Sequence, residues 1–226
     1  MSSSETKKLY AEAARRYDRL TGLMSCGSGG WYRRSVVQSM NLPQGGCVLD
    51  LGAGTGDLAL EMQNVVGPEG RVIALDLSEE MLAEARQRGV RETIQGSMKA
   101  IPLSDNSLDG LVCGYSIRYA EDLDATLKEI KRVLKPSAPL VILEMTIPKS
   151  KLGRSCAALM VRHISPSLMM VCCGSRGIRN LMRHFWDSVA AFVPPEELVE
   201  RMNASGFHHV RMRGPWSMLV EYRAQG

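Results

Sequence analysis

Val48-Leu-Asp-Leu-Gly-Ala-Gly-Thr-Gly-Asp57 places an apolar run directly before three alternate glycines, and Asp57 opens a helical pattern reaching Val66. Strand, glycine loop and helix in that order make the ligand-holding turn of open parallel sheets. Gly52, Gly54 and Gly56 carry no Cβ, so the chain can bend sharply and a ligand can approach the backbone. The spacing is G-x-G-x-G. It differs from G-x-G-x-x-G, whose N–H groups and helix terminus receive a pyrophosphate. A nucleoside-type ligand at such a loop needs close backbone approach and a carboxylate for its ribose. Asp76 is the candidate carboxylate. It ends the apolar run Val72-Ile-Ala-Leu-Asp76, about 20 residues beyond the glycines, where an acceptor for ribose hydroxyls is expected. Helix capping is the competing role for Asp76, but Ser78 is placed to do that.

Outward from this stretch, strand and helix signals alternate. Cys47–Leu51, Arg71–Leu75, Arg91–Gln95, Leu108–Gly114 and Pro139–Leu143 read as strands. Between them, Asp57–Val66, a helix from the Ser78 cap through Arg88, and Asp122–Leu134 read as helices. Alternation of this kind predicts an α/β fold with a parallel sheet covered on both faces. Residues 1–42 form a helical cap, with a loop at Cys26–Gly30 and a helix over Trp31–Met40 ended before Pro43. Residues 47–148 form the ligand-binding core. Residues 149–193 break the rhythm as a lid, with Gly174–Gly177 as a break and a helix over Asn180–Phe192. Residues 194–226 give a helix over Glu196–Asn203, opened by Pro194 and Pro195, and then an antiparallel pair, His208–Arg213 with Met218–Tyr222.

The 226 residues suit one domain. Hydrophobic residues at 45% and charged residues at 23% give an ordinary globular balance. A net charge of +4 is too small to point to nucleic acid. None of the six cysteines makes a CxxC pair, so no metal site is expected. Cys47 and Cys113 read as core residues. The start Met1–Lys8 lacks an apolar secretory core, and no run of about 18 apolar residues suggests a membrane span. These features predict a cytoplasmic protein with free thiols.

Together the motifs resemble those of class I S-adenosylmethionine (SAM) methyltransferases and, more narrowly, the ubiquinone/menaquinone C-methyltransferase family. The resemblance runs from about Tyr10 to Phe207. It is carried by Tyr17-Asp18, Val48–Asp57, Ala74-Leu-Asp76, Gln95–Asp109, Ile117-Arg118, Arg132-Val-Leu-Lys-Pro136, Leu143-Glu144, His163 with Pro166, Arg183 and Ala204-Ser-Gly-Phe207. It implies a Rossmann-like, seven-stranded, mostly parallel sheet with helices on both faces and an antiparallel last strand. It also implies SAM as cofactor. By position, Tyr17, Asp50, Gly52, Ala53, Gly54, Thr55, Asp76, Leu77, Met81, Ser97, Met98, Gly114, Tyr115 and Ser116 would line that cofactor. Thr55 would touch the methionine part and Asp76 the ribose. Ser97 and Met98 would border the adenine, and Gly114–Ser116 would face the sulfonium.

On the acceptor side the chain departs from the family pattern. Leu-Arg-Asn after the fourth strand becomes Ile117-Arg118-Tyr119, and Arg-Tyr-Leu-x-x-Ser-Ile becomes Arg183-His-Phe-Trp-Asp-Ser-Val189. The resemblance gives Arg118 a place near a phenolic substrate, where its charge would stabilise a phenolate; a salt bridge to Glu121 or Asp122 is the structural alternative. His163 and His184 are the candidate acid–base groups. The Met-rich stretch from Leu159 to Val171, with Arg154, Arg162, Arg176, Arg179 and Arg183 around it, suits a prenyl tail or a peripheral membrane contact, or equally a packed helix pair. The expected reaction is methyl transfer to a small molecule, foremost a ring carbon of a quinol-like, prenylated aromatic, by a monomer or homodimer. A lipid amine, or an oxygen or nitrogen of a secondary metabolite, is the alternative acceptor, and a catalytically silent SAM-binding module the third reading.

Overall fold

The computed structural model describes residues 28–148, 150–161, 177–216 and 218–226. In chain order the elements are α1 (Ser28–Gln38), β1 (Cys47–Leu51), α2 (Asp57–Val66), β2 (Arg71–Asp76), α3 (Glu79–Gln87), β3 (Glu92–Gln95) and β4 (Gly110–Gly114). A 3₁₀ turn (Ile117–Tyr119) leads to α4 (Leu123–Val133), β5 (Pro139–Met145), α5 (Lys151–Leu159), α6 (Gly177–Ala191), α7 (Pro195–Ala204), β6 (His208–Trp216) and β7 (Leu219–Gln225).

The strands form one seven-stranded sheet in the order β3-β2-β1-β4-β5-β7-β6. β1 pairs in parallel with β2 and β4, β2 with β3, and β4 with β5. β7 inserts antiparallel between β5 and β6. This is the expected fold, and the strand order reverses beside β1, which is where open α/β sheets bind ligands at their carboxyl ends.

Alternation along the buried strands divides the core between the two faces. Leu49, Leu51, Leu111, Cys113, Leu140 and Ile142 face one way and pack with α4 and α7. Val48, Val112, Val141 and Leu143 face the other way, against α1 and α2. The helix starts follow their caps: Ser78 Oγ accepts from the Met81 N–H at 3.3 Å, and Asp122 Oδ1 from the Ala125 N–H at 2.9 Å.

The structure moves several boundaries. Ser28–Gly30 belong to α1, not to a loop, and Gly177 opens α6 rather than closing a break. β5 and β7 run longer than their apolar runs because their ladder pairs Glu144 with Val220 and Pro139 with Gln225. Of the Met-rich stretch, residues 162–171 lie outside the described residues, as do Arg162 and Arg176. No helix among the described residues is long and apolar enough to cross a membrane.

Candidate functional site

The glycine loop leaves β1 and is tied to β2 through its backbone. The Gly52 and Ala53 N–H groups both donate to the Leu75 carbonyl, at 2.7 and 3.0 Å. The three glycines have separate roles. A Cβ on Gly52 (φ +70°) would lie 2.3 Å from Ser116 Oγ and 2.6 Å from Met98 Cε. Gly56 closes onto Val90 and Ala85, so it serves helix packing. A Cβ on Gly54 would meet nothing within 4 Å, so that is where the loop faces open space.

Asp76 holds this arrangement at the end of β2. Its Oδ2 accepts the Gly54 N–H and its Oδ1 the Ser78 N–H, both at 2.8 Å. The residue thus steadies both the loop and the start of α3. Leu77, beside it, is exposed, and its carbonyl accepts from Gln95 Nε2 at 3.1 Å; Met81 is buried in the first turn of α3.

Asp50 is 1% exposed and lies behind the loop. Its Oδ2 accepts the Ala59 N–H of α2 at 2.8 Å, while its Oδ1 has no hydrogen-bond partner among the described residues. Burial outweighs that bond and pushes the carboxyl up to about 7. Thr55, in the same loop, is held by the end of α3. Arg88 Nη1 donates to its carbonyl and hydroxyl at 2.9 and 3.1 Å, while Arg88 Nη2 pairs with Asp57 at 2.6 Å. The guanidinium at the end of α3 needs acceptors, and Thr55 and Asp57 supply them.

Across the switch point, Gly114 lets Leu58 of α2 pack closely onto β4. Tyr115 takes φ +57° and donates its N–H to the Leu143 carbonyl at 2.7 Å. Ser116 Oγ donates to the Leu51 carbonyl at 3.0 Å, which brings the end of β4 over Gly52. Ser97 makes an antiparallel bridge with Ala100, a tight turn that carries Met98 to the same glycine. Open backbone at Gly54, a carboxylate at Asp76 and a thioether at Met98 form a set without a phosphate cradle. That set fits SAM.

The acceptor side is built by long-range contacts. Arg118 bonds neither Glu121 nor Asp122 in an ion pair. Its guanidinium pairs with Glu144 at the end of β5, and both side chains are only 1% exposed. Arg118 Nε donates to Ser188 Oγ at 3.2 Å, and the guanidinium sits over the Tyr119 and Phe185 rings at 4.7 and 4.8 Å. Glu121 instead pairs with Lys99 at 2.6 Å. Ser188 Oγ also donates to the Phe185 carbonyl at 2.7 Å. Its one hydrogen is therefore used, and the 3.1 Å contact with Tyr119 has Tyr119 as donor.

The two departures from the family pattern meet here. The Tyr119 and His184 rings stack at 5.8 Å and 23°. Burial lowers the His184 pKa, which keeps its imidazole neutral at neutral pH. Trp186 does not join them; it is buried among Ala157, Val161 and Met182 and fastens α5 to α6. Tyr17, Asp18, His163 and Pro166 lie outside the described residues.

Glu144, Ser188 and Phe185 were missed as site residues by the sequence. Glu144 had a usable signal, a lone acid ending an apolar strand, as Asp76 does. Ser188 matches the serine of the family pattern, while Phe185 had no signal, because its relevance depends on where α6 lies.

With this geometry described, known proteins supply the context. The family model for the ubiE/COQ5 methyltransferase family matches residues 1–215. A demethylmenaquinone methyltransferase of Staphylococcus saprophyticus is 29% identical over 223 residues, covering 94% of this chain and 94% of that protein. One from Staphylococcus aureus is 28% identical over 218 residues, covering 94% and 88%. In fold, a SAM-dependent methyltransferase from Thermotoga maritima superposes with a TM-score of 0.69 at 22% identity, covering 97% of this chain and 99% of that one. The chain belongs to the ubiE/COQ5 methyltransferase family and is a SAM-dependent methyltransferase.

Proposed function

We propose that the chain methylates a ring carbon of a quinol-like aromatic carrying a prenyl tail. The observation that carries this reading is the buried Arg118 guanidinium, held between two aromatic rings at the carboxyl ends of β4 and β5. A fixed positive charge between flat apolar walls suits a ring hydroxyl that becomes a phenolate. The naming of the two staphylococcal relatives as demethylmenaquinone methyltransferases supports the same acceptor class.

SAM supplies a methyl group made electrophilic by its sulfonium. The chain's residues do the rest. The loop from Gly52 to Thr55 with Asp50 and Asp76, the stretch Leu77 to Met81, the Ser97-Met98 turn and Gly114–Ser116 seat the cofactor, and the family resemblance adds Tyr17 to this set. Arg118 stabilises negative charge on the acceptor oxygen, which raises electron density on the adjoining ring carbon. His184, with Tyr119, borders the ring, and the family resemblance gives His163 a role toward the same substrate. Alignment and exclusion of water carry most of the rate, so no acid–base triad is needed.

The exposed apolar side chains of Leu152, Leu159 and Met160 on and just after α5, beside exposed Lys151 and Arg154, support a peripheral contact with a membrane that holds the prenylated acceptor. The test is transfer of labelled methyl from SAM to a reduced short-chain 2-prenyl-1,4-naphthoquinol. Label on a ring carbon is expected. Label on oxygen, or none in the quinol fraction while an amine acceptor is labelled, overturns the reading.

A further inference from the structure

Glu144 ends β5 on the sheet face that also carries Ile142 and Cys113, and its side chain is 1% exposed. Its Oε1 takes two donors, the Arg118 guanidinium and the Met145 N–H, the latter at 2.8 Å. Its Oε2 has no hydrogen-bond partner among the described residues. A buried carboxylate oxygen without a donor is costly, and such groups persist where a ligand completes them. Asp50 Oδ1 is also unpaired, but Asp50 accepts from α2 on the opposite face; Thr126 Oγ1, the other one, is a neutral hydroxyl on α4.

The surroundings of Glu144 describe the missing donor. The Arg118 guanidinium and the Met145 N–H hold the carboxylate through Oε1. Beside it stands a guanidinium flanked by the Tyr119 and Phe185 rings. An unpaired hydrogen-bond acceptor, a positive charge and flat apolar walls together complement an aromatic ring bearing a hydroxyl. Tyr119, His184 and Phe185, grouped around that guanidinium, are half-buried.

We propose that Glu144 is a catalytic residue of the acceptor site: its Oε2 receives the hydrogen bond of the acceptor's ring hydroxyl and takes its proton during methyl transfer. This rests on the quinol reading above. The hydroxyl O–H bond breaks, the proton goes to Oε2, and the electron pair is shared into the ring. The ring carbon bonds to the methyl carbon as the carbon–sulfur bond breaks and its pair leaves on sulfur. The displaced ring hydrogen then leaves as a proton to solvent, which restores the aromatic ring. Burial raises the Glu144 carboxyl, so its proton affinity moves toward that of a phenol.

The experiment compares the wild-type enzyme with Glu144→Gln, which keeps the shape and an oxygen for Arg118. On the naphthoquinol the variant should lose at least 100-fold in kcat, with its Kd for SAM within two-fold of wild type. On an electron-poor naphthol already ionised at the assay pH, the loss should shrink below ten-fold. In calorimetry without SAM, the wild type should bind the quinol at least ten-fold more tightly than its dimethyl ether. If Glu144→Gln loses SAM binding through misfolding, this wild-type comparison decides. Equal binding of quinol and ether, more than a third of kcat retained, or the same loss on the ionised acceptor overturns the proposal. Wild-type enzyme that never labels the quinol overturns the acceptor reading and this proposal with it, whereas labelling that survives Glu144→Gln overturns this proposal alone.

Discussion

The two ends of the candidate site are built by different means. Around Gly52, Gly54 and Asp76, the interactions are mostly backbone: N–H groups of Gly52, Ala53, Gly54 and Ser78 meet a carbonyl or a carboxylate within one strand–loop–strand unit. Around Arg118, the interactions are side chain to side chain. They join the 3₁₀ turn, the end of β5 and α6, positions as far apart as 70 residues. A backbone-built site tolerates side-chain change except where a Cβ is forbidden. A side-chain-built site can be altered residue by residue, as this chain's Tyr119 and His184 are against its family's pattern.

This contrast can be broken by substitution. Arg118→Ala leaves the buried Glu144 carboxylate without its cation and should destabilise the fold by about 3–5 kcal/mol in urea unfolding. A loss below about 1 kcal/mol would mean that the pair is not buried in solution. Gly52→Ala forces a Cβ toward Ser116 and Met98 at a positive φ. Its Kd for SAM should rise about 100-fold, roughly 2.7 kcal/mol, in calorimetry; unchanged binding would show that the loop can move aside.

The third comparison uses pH. The Asp50 carboxyl lies near 7 in the fold and at its ordinary value of 3.8 when unfolded. The folded state therefore binds the extra proton, and this contribution to stability is present below about pH 4 and lost as pH rises to 7. Asp50→Asn should raise stability at pH 8 by about 4 kcal/mol without ligand and change it little at pH 4. Parallel stability–pH curves for the two proteins would contradict the shift. The smallest effect belongs to Tyr119→Phe, which removes the bond to Ser188 but keeps the stack on His184. It should cost about 1 kcal/mol and leave SAM binding alone; a tenfold change in the Kd for SAM would show that the two halves are coupled.

The cofactor half was legible because its signals are local. Apolar run, alternate glycines, helix start and a strand-ending acid all fall between Val48 and Asp76. What was not legible is the Arg88 contact at Thr55, because Arg88 reaches it from the far end of α3. The acceptor half was legible only as residue types. Arg118 and His184 stand out as residue types, but proximity in sequence points Arg118 to Glu121 or Asp122, whereas its partner Glu144 lies on the adjacent strand β5.

The sequence by itself determined the α/β alternation, the glycine loop and the place of Asp76, because strand period, glycine conformation and capping act over a few residues. Only the tertiary structure decided that Arg118 pairs with Glu144, that Tyr119 stacks on His184 and that Trp186 belongs to the core. Those outcomes depend on sheet order and on where α6 packs, and it is burial, set by the whole fold, that makes a charged partner or a ring contact obligatory.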